Sequence, residues 1–521
     1  MGKDILSKIS NQISKSDYIS FIIGFIFCII NNFCMFAYGA TAPDALCASE
    51  IYISGDWELE LGRWGIHFID KFRGGLVNSF LIILVSAFLI GLSCAMINRI
   101  FKAKKKITIV LISILIAVCP QFSETLMFTY CADSYILSFF LAILSIYILT
   151  KEDKIKNYII SIPLIVFAVS LYQAYIGVVL GLLIISELIY CLRNKITKKD
   201  IIYFFKKILT IGLALIIYFI VTKIYLKCNG LDLASYKGAD SFGFISIITS
   251  LPSTIINVYR DFFNYYFGET IIYNRYWHRH ILNLIIGLIT LVSFILLFIK
   301  SKKKGVRLSS IIYMVIILII MPILINMLDI IMPSTSINLV TGVALILPYL
   351  VPILIICEED IKIKTRIFIY VVIILILLLC HTFIYSNNAS FMARKDVRNN
   401  YYTISSDILS RAKELDGYNE DLKWFFNDYI IYRSKYMPIS NGFVSLNYET
   451  WDNPYGTWLN IQFYDRYLGQ KIQMVTYDEY NEIIKSEEFS NMPIYPAKGS
   501  IKIVNDYIIV KLSDVVHNIE Q

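Results

Sequence analysis

The apolar residues of this chain fall into about eleven long runs, at roughly 18–40, 77–98, 107–121, 134–150, 158–171, 174–192, 208–226, 281–299, 309–332, 338–357 and 367–386. That pattern excludes most folds at once. A helix needs about 20 apolar residues to cross the hydrocarbon of a bilayer. In lipid every backbone N–H and C=O must be paired inside the helix or in a closed barrel. Runs of this length therefore predict membrane-spanning helices. Several are shorter than about 20 residues, and the pair around 158–192 needs a very tight turn at Ser170-Leu171-Tyr172-Gln173. With 57% hydrophobic residues and a mean hydropathy of +0.62, the chain holds more apolar surface than a soluble core of 521 residues can bury. Residues 1–17 are polar and mildly basic. The run after them is too long for a signal-peptide core and lacks a convincing cleavage site, so it reads as an uncleaved first span.

Charge divides the chain in two. Residues 1–386 carry 34 basic and 22 acidic side chains, and residues 387–521 carry 14 and 18. The first part reads as a transmembrane domain and the second as a soluble one. Basic residues concentrate in the short loops Arg99 to Lys106, Arg193 to Lys207 and Lys300 to Arg307. The positive-inside rule puts these three in the cytoplasm. The segments 41–76, 122–133, 227–280, 333–337 and the tail after 386 are then external. Basic residues confined to such loops give no sign of nucleic-acid binding. No CxxC pair or His/Cys cluster suggests zinc, and no Cys follows Cys380, so the tail has no disulfide. In the tail a helix is expected at about 390–415, then mixed α/β structure with aromatic segments around Trp424 to Tyr432 and Trp458 to Tyr467. Ser500 to Leu512 alternates apolar and polar residues around Asn505-Asp506, which predicts a β-hairpin.

The external segment after the first run is where chemistry is most legible. From Asp44 to Glu60 it has five carboxylates (Asp44, Glu50, Asp56, Glu58, Glu60) and no Lys or Arg. Pro43 biases the chain away from helix, so the first span should end there and leave Asp44 at the outer surface. A carboxylate partly desolvated at the membrane edge can serve as a general base; equally, it can be a solvated loop acid. Asp56, Glu58 and Glu60 alternate, so on an extended segment they share one face, which reads as a hydrated one. No EF-hand-like spacing supports a divalent cation, and no cofactor is expected. Arg63 can grip a phosphate bidentately or pair with Glu60. Trp64, Phe68 and Phe72, at i, i+4 and i+8, predict an amphipathic helix lying in the interface, with His67, Asp70 and Lys71 on its other faces. Asp133 opens a span on the outer side, where an acid is functional or simply favoured by the helix dipole. Tyr172 and Gln173 can bond a sugar or local backbone. Arg275 and Arg279 belong to a basic-aromatic cluster, Tyr273 to His280, that reads as an interfacial anchor or an anion contact.

Taken in order, Pro43-Asp44, Gly55-Asp56-Trp57-Glu58, Leu61-Gly62-Arg63-Trp64-Gly65 and Ser170-Leu171-Tyr172-Gln173-Ala174 resemble the bacterial membrane glucosyltransferases of the Gtr type II family. So do Met492-Pro493, Tyr495-Pro496, Gly499-Ser500-Ile501 and Val510-Lys511-Leu512. That family looks like a branch of the GT-C glycosyltransferases. The resemblance implies a mainly α, GT-C-like polytopic helical bundle over 1–386, with a small α/β extracytoplasmic domain over 387–521. It implies a multi-pass plasma-membrane enzyme that takes a glucosyl group from a polyprenyl-phosphate donor, undecaprenyl phosphate, to a surface glycan acceptor. Its partners would be the lipid bilayer, that donor and that acceptor, with no nucleic acid and no metal. In these roles Asp44 is the base and Asp56 its reserve. Arg63, with Arg275 or Arg279, contacts donor phosphate, while Asp133, Tyr172 and Gln173 shape the site. A lipid-linked polysaccharide polymerase or ligase is the nearest alternative. A flippase would need intramembrane charges, broken helices or repeats that the sequence does not clearly show.

Overall fold

The computed structural model describes residues 14–39, 45, 51–234, 244–268, 277–303, 308–332, 337–358, 366–428 and 458–515. The chain is a mainly α membrane protein with one small sheet. Seven of the described helices are long and apolar enough to cross a membrane, against the eleven or so runs expected. The difference has local causes. The first run is broken at Asn32 into the helices Lys15–Asn31 and Phe33–Tyr38. The run at 158–171 forms a helix of 17 residues, Ile155–Leu171. The run at 309–332 is interrupted between Leu308–Ile325 and Met327–Ile331. The run at 338–357 winds through 3-10, α and π turns. The expected external loop at 122–133 is largely helical, Pro120–Met127, and buries Glu124.

By its contacts the chain forms two compact units, one of Met1–Phe36 and Glu50–Asn388, the other of Ala37–Ser49 and Ala389–Gln521. In the first, the Lys15–Asn31, Ser79–Ile100 and Lys106–Ala117 helices meet through polar groups that have found each other. Asn98 Nδ2 donates to Ser20 Oγ at 2.6 Å and to Ser113 Oγ at 3.2 Å. The next residue, Arg99, grips both oxygens of Asp17, which lies one turn before Ser20, at 2.8 and 2.7 Å. Where water is scarce such groups must be satisfied by one another, so they register the helices. The tight turn expected near 170–173 is present. The Ile155–Leu171 helix stops, Tyr172 is extended, and a 3-10 turn, Gln173–Tyr175, leads into Ile176–Arg193.

The second unit is built on a sheet of β1 (Lys423–Phe426), β2 (Gln473–Met474), β3 (Ile501–Val504) and β4 (Tyr507–Val510), in the order β2-β1-β4-β3. β1 runs parallel to both its neighbours. The expected hairpin is β3–β4, turning at Asn505 and Asp506, both with positive φ. Successive side chains point to opposite faces, and both faces are covered. Trp424, Phe426, Ile508 and Val510 pack with Ile408, Ala412 and Tyr464. Phe425 and Ile509 pack with Tyr480, Ile483 and Phe489. The helix expected at 390–415 is not separate from the last apolar run. Both belong to one helix, Arg366–Lys413, because nothing between them breaks it: the stretch around 386–390 has neither Pro nor Gly. The unit also includes the segment that follows the first span. Arg398 donates to the Tyr38 and Gly39 carbonyls at 2.6 and 2.7 Å, and Arg466 to the Ala45 carbonyl at 2.8 Å.

Candidate functional site

The acidic stretch after the first span forms a short helix, Asp56–Glu60, so its acids spread around an axis and do not share one face. Glu58 is buried and structural. It accepts the Gly55 amide at 2.9 Å and the Tyr52 hydroxyl, closing the helix N-terminus. Asp56 lies exposed in the first turn, where the helix dipole favours an acid. Glycine ends this helix. Gly62, at φ +76°, donates to the Leu59 carbonyl, and Arg63 N to the Glu58 carbonyl, both at 2.8 Å. That left-handed cap turns the chain sharply. Arg63 stands at the corner and immediately precedes the next helix, Trp64–Phe72.

That helix is docked, and its aromatic residues do not share an exposed face. Trp64 is buried and donates from Nε1 to Thr222 Oγ1 at 3.1 Å, whereas Phe72 is 93% exposed. A Cβ on Gly65 would stand 2.4 Å from Ser170 Oγ and 3.0 Å from the Ser170 carbonyl carbon, so only glycine lets the helix approach the end of Ile155–Leu171. The loop carbonyls are held as well. Gln173 Nε2 donates to Leu61 O at 2.6 Å, and the Tyr218 hydroxyl to Gly62 O at 3.0 Å.

Two arginines organise the rest, in opposite ways. Arg73 is engaged by acids: its Nη atoms bind Asp70 Oδ1 at 2.6 Å, Asp133 Oδ1 at 2.7 Å and the Tyr130 carbonyl at 2.7 Å. Asp70 is fully buried and also accepts the Ser54 amide at 2.8 Å. Burial pushes its carboxyl above the usual range, opposed by that amide and by Arg73. Arg63 has no carboxylate partner among the described residues. Its Nη1 donates to the Tyr135 hydroxyl at 3.0 Å and its Nε to Gln173 Oε1 at 3.4 Å, while the guanidinium lies 4.9 Å from the centre of the Tyr172 ring. Tyr172 in turn stacks on Tyr135 with centroids 4.1 Å apart. Neutral oxygens and π faces position this cation and leave its charge uncancelled. Its Nη2 is without a hydrogen-bond partner among the described residues.

Of the residues singled out in the sequence, Arg63, Tyr172 and Gln173 are in contact, and Asp133 joins them at the same end of the Ala132–Lys151 helix through Arg73. Arg279 is elsewhere. It is buried, with Nη2 2.7 Å from the Gly268 carbonyl and Nη1 3.4 Å from that of Tyr265, and its charge complements the end of the Phe244–Phe267 helix. Asp44 and Arg275 lie outside the described residues. Arg73, Tyr135 and Tyr218 were not singled out. The i, i+3 spacing of Asp70 and Arg73 was the one available signal, and it did not reveal Asp133 as the third member. Among the described residues no group of three or more His, Cys, Asp or Glu is placed to hold a metal ion.

Compared with known proteins, residues 49–357, more than half of the chain, match the model of a family described as glucosyl transferase GtrII. The matched span includes Asp56, Arg63, Asp133, Tyr172, Gln173, Arg275 and Arg279, and begins after Asp44. No curated protein and no solved structure matches.

Proposed function

The chain belongs to the GtrII glucosyl transferase family, and from that premise we propose that it moves a glucosyl group from a polyprenyl-phosphate donor to a surface glycan at the outer face of a bacterial plasma membrane. The observation that carries the donor class is Arg63. A guanidinium with no carboxylate beside it, held by tyrosines and a glutamine next to apolar helices, suits the phosphate of a lipid-linked sugar. Arg279 is engaged with helix carbonyls, so the phosphate contact falls to Arg63, with Arg275 as a second candidate. The basic cytoplasmic loops support the outward direction of this site and an extracytoplasmic tail.

In the proposed reaction a carboxylate, Asp44 with Asp56 in reserve, takes the proton of an acceptor hydroxyl. The oxygen attacks the anomeric carbon as the bond to the phosphate oxygen breaks. Polyprenyl phosphate leaves with the electron pair, and Arg63 stabilises its charge. Neither a metal nor a general acid is required, since phosphate is a good leaving group. Asp133, tied up by Arg73, positions the floor of the site.

The test is transfer by protein in liposomes supplied with labelled polyprenyl-phosphate glucose and candidate acceptor glycans. Replacing Arg63 by Ala should lower kcat/KM about 10–100-fold, the scale of a lost charge-assisted hydrogen bond, with Arg63→Lys intermediate. Asp44→Asn should abolish transfer and Asp56→Asn leave most of it; the opposite result would exchange their roles. Use of a sugar nucleotide in place of the lipid-linked donor would refute the donor assignment.

A further inference from the structure

The Trp64–Phe72 helix aligns more than Arg63. Residues three apart share a helix face, so His67 and Asp70 lie together, and Arg63 caps the N-terminus of the same helix. His67 follows Arg63 by four residues, about one turn into the helix. His67 Nδ1 lies 2.9 Å from the Ser54 carbonyl oxygen. A carbonyl only accepts, so Nδ1 carries the hydrogen, and in that tautomer Nε2 presents a lone pair. The ring is braced from behind. The Ser54 amide is held by Asp70, Asp70 by Arg73, and Arg73 by Asp133 and the Tyr130 carbonyl. Nε2 itself has no partner among the described residues, and it is not among their sealed, unbonded atoms. A fixed acceptor with nothing donating to it, one turn from an unneutralised cation, suits a hydroxyl near a phosphate.

We propose that His67 Nε2 accepts a hydrogen bond from a hydroxyl of the donor's glucosyl group and so helps select the sugar. This rests on the glucosyl-transfer reading. The sugar ring is bonded directly to a phosphate oxygen, so with the phosphate on Arg63 its hydroxyls lie within reach of a side chain one turn away. A site that bonds a particular hydroxyl rejects the analogue lacking it, because its own polar group is left unpaired.

The experiment uses the full-length protein and polyprenyl-phosphate donors in which each glucose hydroxyl in turn is replaced by hydrogen or by fluorine, which cannot donate. Two variants separate recognition from architecture. His67→Asn keeps an amide where Nδ1 bonds Ser54 but has no outward acceptor. His67→Gln extends an amide oxygen to the place of Nε2. For one position the wild type should lose about tenfold in kcat/KM with both the deoxy and the fluoro donor. His67→Asn should lose about tenfold with intact donor and show no further loss at that position, while His67→Gln should retain the discrimination. If His67→Asn discriminates every position as the wild type does, or if His67→Gln loses discrimination and His67→Asn keeps it, His67 is only a tie to Ser54 and the proposal is overturned. Failure of the wild type to use any polyprenyl-phosphate donor would be a different result. It would remove the glucosyl-transfer reading itself, and this proposal with it.

Discussion

Arg63 and Arg73 are ten residues apart, at the two ends of one short helix, yet their surroundings assign them opposite tasks. Arg73 bridges two acids, one of them fully buried. Removing one member of a buried ion pair strands the other charge, at a cost of about 3–5 kcal/mol. Arg73→Met is therefore expected to lower the melting temperature in detergent, whereas Arg63→Ala should leave it nearly unchanged and lose transfer. Equal melting temperatures for the two would show that the Asp70–Arg73–Asp133 group contributes little to stability. Sequence reading singles out Arg63, Tyr172, Gln173 and Asp133 because an arginine after an acidic run and polar groups at a tight turn stand out locally. It misjudged Glu58, whose neighbour Tyr52 looks unremarkable in the sequence, and missed Arg73, whose partner Asp133 is sixty residues away.

Among the elements, the two glycines around Arg63 explain why the corner can exist. Gly62 needs a left-handed conformation, and a Cβ there would also stand 2.6 Å from the Tyr218 hydroxyl oxygen. The conformation alone costs an L residue about 1–2 kcal/mol. Gly62→Ala should destabilise the protein by at least that much and displace Arg63, so its transfer should fall toward that of Arg63→Ala. Wild-type transfer by Gly62→Ala would show that the corner does not position the cation. The same locality made the β3–β4 hairpin readable, since its alternation and Asn-Asp turn are neighbours in the chain. Helix continuity was harder to read. The change from apolar to polar near 386 looked like an end, but polarity changes a helix's surroundings without stopping it.

For the whole molecule, the contacts put the described residues that follow the first span, 37–39 and Ala45, in the same unit as the tail. Arg398 and Arg466 hold carbonyls of that segment, so Arg466→Ala should reduce transfer while the donor's affinity stays near wild type. Unchanged turnover would separate the tail from the proposed chemistry. This unit also has a readable acid response. Burial pushes the Glu479 carboxyl up, but Lys423 at 2.6 Å, the Thr476 cap and Tyr507 outweigh it and hold it down at about 2, below its ordinary 4.5. The stabilisation is then whole above about pH 4.5 and is lost as pH falls toward about 2. Lys423→Met should make acid unfolding of this unit less steep across that window, an effect kept small by the pair's access to water. An identical acid profile would exclude the pair as a contributor.

The sequence by itself determined that the chain is helical and membrane-borne, that its tail differs in kind, and that a Gly-Arg-Trp-Gly corner follows an acidic stretch. These are properties of composition, period and nearest neighbours, which depend on residues close together along the chain. Only the tertiary structure decided which acids are structural, which arginine keeps its charge, and that the tail's unit includes the segment after the first span. Those outcomes depend on groups far apart in the chain meeting where water is excluded, and there each charge's task is set by what lies within hydrogen-bond distance of it.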